Sequence, residues 1–282
     1  MGIKFEKVSH AFKNPDGKGS FVAMYDIDLE INELNEFIAV CGHTGSGKST
    51  LIQHMNALLF PSSGNLEIFD RTIKKKRNRH LNQIRKRVGL VFQFPEYQLF
   101  EETVLKDVMF GPLNFGLKKD EAKEKAIKAL ELVGFEKNLY NQSPFRLSGG
   151  QMKKASIAGI LALEPDILIL DEPTRGLDPK SSLEVMELFN EIHKKTNKTI
   201  VIITHDMDIV SKYAKRVVVL NEGKIVYDGS KEKLFIDPNF NSFHLDYPSS
   251  MKLAIDLKNK LNLDINTNIF TLEELILELE RI

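Results

Sequence analysis

The stretch Cys41-Gly42-His43-Thr44-Gly45-Ser46-Gly47-Lys48-Ser49-Thr50 restricts what this chain can fold into more than any other. It follows the apolar run Phe37-Ile38-Ala39-Val40 and precedes a helix-compatible segment at 51–59, so the local order is strand, glycine-rich loop, helix. Glycines lack a Cβ, which lets successive backbone N–H groups curl around a polyphosphate; the helix N-terminus and the Lys48 ammonium then converge on the same anion. The Ser49 hydroxyl is suited to Mg²⁺, and His43 is placed to meet a nucleotide through its backbone. An ordinary glycine-rich turn is the plainer reading, and it is disfavoured because every position the phosphate cradle requires is filled.

With 282 residues the chain is long enough for one large domain, or for a domain with an appendage. Lys plus Arg and Asp plus Glu both number 39, so no global attraction to nucleic acid or to an anionic membrane is indicated. Cys41 is the single cysteine, which excludes an internal disulfide; just before the loop it reads as a small buried strand residue. The N-terminus lacks the apolar core of a signal peptide, and no window approaches the roughly 18 apolar residues of a membrane span. Any membrane role is therefore expected to be by association.

Residues 3–8 and 21–31 alternate as two strands around a polar loop, with Phe12 at its mouth as either a core residue or a platform for a purine. A turn at 61–64 and a short strand at 65–69 follow. The basic run 74–80 has no interleaved aromatics and fits no nucleic-acid module, so it reads as a solvated loop, with lipid headgroups as its best functional rival. Val88 to Phe92 reads as a buried strand ending in Gln93, whose amide oxygen is able to reach a metal or a water. Residues 103–133 read as helical. Ser148 and Gln151 form a capping box, so a helix starts at Leu147-Ser148-Gly149-Gly150-Gln151 and runs to about 163. Two glycines in a first helical turn cost roughly 1 kcal/mol each, which close backbone approach to an anion would justify.

Ile167 to Leu170 is an apolar strand ending in Asp171-Glu172. Beside a phosphate-binding loop, two such carboxylates suggest different tasks: Asp171 orients Mg²⁺ and its waters, and Glu172 takes a proton from the attacking water. Asp178 caps the next helix. His205 ends a strand at 199–204 and is placed to donate to a γ-phosphate. A hairpin follows at 216–228. Beyond Gly229 the segment holding Phe240, Phe243 and Tyr247 reads as a linker to two amphipathic helices, 249–261 and 272–281, the second with a Thr271/Glu274 capping box.

The ordered set Gly42 to Thr50, Gln93, Ser148 to Gln151, Asp171-Glu172, Asp178 and His205 is similar to that of ATP-binding-cassette ATPases. The resemblance covers about residues 3–229 and implies an α/β nucleotide-hydrolase fold with an antiparallel β subdomain and a helical subdomain at about 94–164. Residues 230–282 are then a C-terminal helical extension. It also implies ATP and Mg²⁺ as ligands, held by Ser49, Gln93 and Asp171 on the metal side. Phe12 falls at the adenine-stacking position. The implied assembly is a head-to-tail dimer, with itself or a paralogue, in which ATP lies between the loop of one subunit and Ser148-Gly149-Gly150 of the other, and Asp178 signals across the interface.

The stretches His43 to Lys48, Val91 to Val104 and Leu147 to Met152 resemble, more narrowly, the second ATPase subunit of energy-coupling-factor importers. That resemblance implies a peripheral place on the cytoplasmic face of the cell membrane. It implies a transmembrane coupling component received by residues 94–102, a separate membrane protein that binds the substrate, and uptake of a vitamin or transition-metal ion. The rival class is a soluble cassette acting on nucleic acid or ribosomes; it has only the basic run behind it.

Overall fold

The structure is a computed structural model that describes residues 2–14, 17–74 and 81–281. Residues 75–80, most of the basic run, lie outside the described residues. The strands are β1 (Ile3–Lys13), β2 (Ser20–Ile31), β3 (Phe37–Cys41), β4 (Ser63–Ile68), β5 (Arg71–Thr72), β6 (Val88–Val91), β7 (Ile167–Asp171), β8 (Thr199–Ile203), β9 (Arg216–Asn221) and β10 (Lys224–Ser230). The helices are α1 (Lys48–Met55), α2 (Leu81–Arg87), α3 (Val104–Asn114), α4 (Lys119–Leu132), α5 (Gly149–Leu161), α6 (Pro179–Thr196), α7 (Met207–Tyr213), α8 (Lys231–Phe235), α9 (Ser249–Leu261) and α10 (Leu272–Leu279).

A six-stranded sheet in the order β10-β9-β3-β8-β7-β6 carries the molecule, parallel except for the β9–β10 hairpin. Its side chains divide with the period of two that a pleated strand imposes. Phe37, Ala39 and Cys41 face one hydrophobic cluster with Leu168, Leu170, Ile200 and Ile202. Ile38 and Val40 face the other with Ile167, Ile169, Val201 and Ile203. Both faces are buried, which explains why these strands read as unbroken apolar runs. The second cluster is closed by the antiparallel sheet β2-β1-β4-β5 and by α1.

The helical subdomain packs α3, α4 and α5 on one another and supplies Val108, Ala122, Ala126, Leu130 and Ala158 to the first cluster. The helical run expected at 103–133 is two helices. Gly116, at φ +88, takes the chain out of the helix between them. The Ser148/Gln151 capping box is present, with Gln151 N–H donating to Ser148 Oγ at 3.3 Å and Ser148 N–H to Gln151 Oε1 at 3.0 Å. At α10 the reading is corrected: Glu274 N–H bonds Thr271 Oγ1 at 3.2 Å, but the Glu274 carboxylate accepts from Phe270 N–H at 2.7 Å, one residue before the cap.

The aromatic stretch beyond β10 is not a solvated linker. Phe240, Phe243 and Met251 are buried in the first cluster. Asp208 on α7 accepts from the Ser249 N–H and hydroxyl, 2.7 Å each, and Ser211 Oγ donates to the Phe270 carbonyl at 2.9 Å. Ala254, Ile265, Ile269 and Leu275 form a small separate core between α9 and α10. Leu272, Ile276 and Leu277 of α10 remain more than half exposed.

Candidate nucleotide site

The C-terminal ends of β3, β7 and β8 open into one cleft of about 960 Å³, lined among others by Gly42, His43, Thr44, Lys48, Glu172 and His205. Parallel pairing is what gathers them: Asp171 is level with Ile203 across β7 and β8, and Val40 with Ile203 across β3 and β8. Three distant parts of the sequence therefore end at one edge, where open α/β sheets place their ligands.

The loop after β3 is held by backbone that only glycine supplies. Gly42 has φ +140, and a Cβ there would stand 2.1 Å from the Leu220 carbonyl oxygen; Gly47 has φ +103, and its Cβ would stand 2.7 Å from the Ala23 carbonyl oxygen. Gly45 is different: at φ +84 it has nothing among the described residues within 4 Å of a Cβ position, so only its backbone conformation calls for glycine. Ser46 is fully buried and braces the loop from within, its carbonyl accepting from Gly223 N–H at 3.0 Å. His43 is fixed by its ring as well as its backbone, with Nε2 3.0 Å from Asn221 Oδ1.

Lys48 Nζ donates to the carbonyls of Gly42 and His43, 2.8 Å each. Burial lowers its pKa from 10.5, against the opposing pull of Cys41, Glu172 and Asp171. Asp171 is displaced the other way, raised by burial first and by the neighbouring Glu172 second, with Lys48 opposing. Cys41, beneath the loop, is fully buried and its thiol is pushed up to about 12, which removes it as a nucleophile and leaves the packing role read from the sequence.

Glu172 sits at φ 45 just past β7, its N–H on the Ile203 carbonyl at 3.0 Å. Its Oε1 is 3.4 Å from His205 Nδ1, and its Oε2 accepts from Arg175 Nη1 at 2.9 Å. Gln93, turned so that its amide oxygen faces the guanidinium, accepts from Arg175 Nε and Nη1 at 2.9 Å each. Asp178 caps α6 as expected, accepting from Lys180 and Ser181 N–H groups at 3.1 and 3.0 Å. Arg175 and Asn221 were not singled out by the sequence reading. The available signal for Arg175 was its spacing, three residues after Glu172 in a turn, where a long cation folds back on a carboxylate.

Several of the expected groups stand outside the cleft lining, among them Ser49, Gln93, Asp171 and Asp178. Phe12 is 40 % exposed near the end of β1, its ring edge-on to His10 at 4.5 Å between centroids. Ser148, Gly149, Gly150 and Gln151 lie at the start of α5 and do not line it either, and a Cβ on Gly149 or Gly150 would meet nothing within 4 Å.

A family model described as ABC transporter matches residues 24–175. The energy-coupling factor transporter ATP-binding protein EcfA2 of Bacillus cereus is 45 % identical over 286 aligned positions, covering 100 % of this chain and 96 % of the relative. Among solved structures, cbiO1 from Clostridium perfringens, described as part of the ABC transporter complex cbiONQ, superposes with a TM-score of 0.74 at 35 % identity over 92 % of this chain and 95 % of that one. A dimeric ATP-binding cassette in a post-hydrolysis state, bound to ADP and Pi, superposes with a TM-score of 0.71 at 28 % identity over 81 % and 98 %. The chain belongs to the ABC transporter family as one of its ATP-hydrolysing cassettes. Within that family it groups with the energy-coupling factor transporter ATP-binding proteins. The rival class, a cassette acting on nucleic acid or ribosomes, is not favoured by these likenesses.

Proposed function

We propose that this chain supplies ATP-driven motion to an energy-coupling factor importer, whose separate membrane subunits take up a micronutrient such as a vitamin or a transition-metal ion. The observation that carries this reading is the meeting of Lys48, Glu172 and His205 in one cleft at the ends of three parallel strands, in a chain similar along its whole length to EcfA2 proteins. Among the described residues no helix is long and apolar enough to cross a membrane; the proposal places the chain on the cytoplasmic face, held there by partner subunits.

In the mechanism proposed, the N–H groups of Gly42 to Thr50 and the Lys48 ammonium hold the β- and γ-phosphates of ATP, with Phe12 against the adenine. Glu172 takes the proton of the attacking water, and His205 steadies the γ-phosphate. Mg²⁺, when bound, neutralises developing charge on the phosphates. Ser49, Gln93 and Asp171 would hold it, and the donor set fits: a hydroxyl, an amide oxygen and a carboxylate are the hard oxygen ligands Mg²⁺ prefers.

A second cassette, a paralogue or a copy of this chain, presents its Ser148-Gly149-Gly150 helix start and Gln151 to the γ-phosphate held here, and Asp178 reports across that contact. Gly149 and Gly150 support this, because among the described residues nothing lies within 4 Å of a Cβ at either position, which leaves their backbone open to a group from a second subunit. The exposed Tyr97, Phe100 and Phe110 offer an aromatic face to the transmembrane coupling component; Tyr97 is 84 % exposed, and Phe100 and Phe110 stack edge-on at 4.8 Å. Co-purification of the tagged chain from detergent-solubilised membranes tests the proposal. Recovery of a second cassette and integral membrane proteins is expected, whereas recovery of ribosomal proteins alone would sink it.

A further inference from the structure

Arg175 stands between two groups that the mechanism gives separate work. Its N–H closes a turn on the Glu172 carbonyl at 3.1 Å, which folds the side chain back over the end of β7. One planar guanidinium then serves two acceptors: Nη1 reaches Glu172 Oε2 at 2.9 Å, and Nε with Nη1 reach the Gln93 amide oxygen at 2.9 Å each. A guanidinium has donors only, so the amide must present its oxygen, and two N–H groups converge on that single atom. The turn is seated against the same neighbourhood, since a Cβ on Gly176 would stand 3.4 Å from the Phe94 ring, next to Gln93 in sequence.

We infer that Arg175 is a positioning residue of the ATP site that competes with Mg²⁺ for the amide oxygen of Gln93 while anchoring one oxygen of the Glu172 carboxylate. The inference rests on the roles proposed above for Gln93 and Glu172. An amide oxygen that accepts two N–H groups has both lone pairs engaged, so it faces a cation only after the fork lets go. The fork is built for release. Arg175's side chain is 53 % exposed against 19 % for Glu172, so the cation end of the fork is open to water and is the end free to swing away. The arginine therefore raises the Mg²⁺ concentration at which the site assembles, and couples loading of the metal to release of Glu172 Oε2.

The test is calorimetric binding of a non-hydrolysable ATP analogue to the full chain, with Mg²⁺ and with chelator, read as the ratio of the two affinities. Arg175→Ala should raise that ratio about fivefold, the scale of one exposed charged hydrogen bond. Arg175→Lys keeps the charge but not the two-pronged fork, and should raise it as well. Gln93→Ala should lower the ratio and abolish the effect of Arg175→Ala in the double variant. A wild-type ratio in both Arg175 variants, with Gln93→Ala still lowering it, overturns the role of Arg175 alone. A wild-type ratio in Gln93→Ala overturns the metal role of Gln93 and the inference with it.

Discussion

The Nδ1 of His205 lies 3.4 Å from Oε1 of Glu172, although 33 residues separate them. The parallel pairing of β7 with β8, with Asp171 level with Ile203, is what closes that gap. A carboxylate and an imidazole so placed are able to share one water and one phosphate oxygen. His205→Ala should leave ATP binding within about threefold and lower turnover about a hundredfold, the cost of one donor aimed at developing charge. Steady-state hydrolysis beside equilibrium nucleotide binding separates the two effects.

The glycines divide into those the fold needs and those it does not. Gly42→Ala would drive a Cβ to 2.1 Å from the Leu220 carbonyl oxygen at a φ of +140, so misfolding or a large fall in melting temperature is expected. Gly149→Ala meets open space in a helical turn and should stabilise the chain by up to about 1 kcal/mol. The same substitution should nevertheless abolish ATP turnover in the assembled importer, because in the proposed dimer the added methyl would meet the nucleotide held by the second cassette. Chemical denaturation and turnover measured on one preparation give the comparison.

His54 builds acid sensitivity into the fold. It is fully buried, its Nδ1–H donates to the Thr50 carbonyl at 2.7 Å, and its Nε2 has no partner within hydrogen-bond distance among the described residues. Burial lowers its pKa from 6.5 to about 4, with the adjacent His10 acting in the same direction. Because the folded value lies below the unfolded one, the unfolded chain binds the proton first, and stability falls as pH drops from 6.5 toward 4. At about 1.4 kcal/mol per pH unit the loss is roughly 3 kcal/mol. Urea melts of wild type and His54→Met between pH 4 and 7 should show a slope in the first that is largely absent from the second.

The aromatic face of the helical subdomain is largely exposed, and its internal contact is the edge-on pair of Phe100 with Phe110. Phe100→Glu should lower stability by only about 1 kcal/mol, the scale of its edge-on pair with Phe110, and should sharply reduce recovery of membrane subunits with the tagged chain. Thermal melts and quantitative co-purification measure the two.

Much of the site was legible because its chemistry lies in short contiguous stretches. Gly42 to Ser49, Asp171-Glu172 and His205 each follow a strand whose doubly buried apolar run announces it. The Ser148/Gln151 and Asp178 caps were readable because capping depends on residues two or three apart. Arg175 was not legible, since its meaning comes from Gln93, which only the adjacency of β6 and β7 brings near. Helices α2, α7 and α8 are five to seven residues long, too short to show a helical period. The buried Phe240 and Phe243 looked like parts of a linker because asparagines and Pro238 surround them; burial is decided by tertiary packing, which local composition does not report.

The central claim is that Glu172 acts on the attacking water within a site completed by a second cassette. Glu172→Gln keeps the shape of the side chain and removes its basicity. In the assembled complex this variant should bind ATP as wild type does, accumulate as a closed cassette dimer, and hydrolyse ATP at least about a hundredfold more slowly. Hydrolysis at the wild-type rate by Glu172→Gln in that complex would contradict the account.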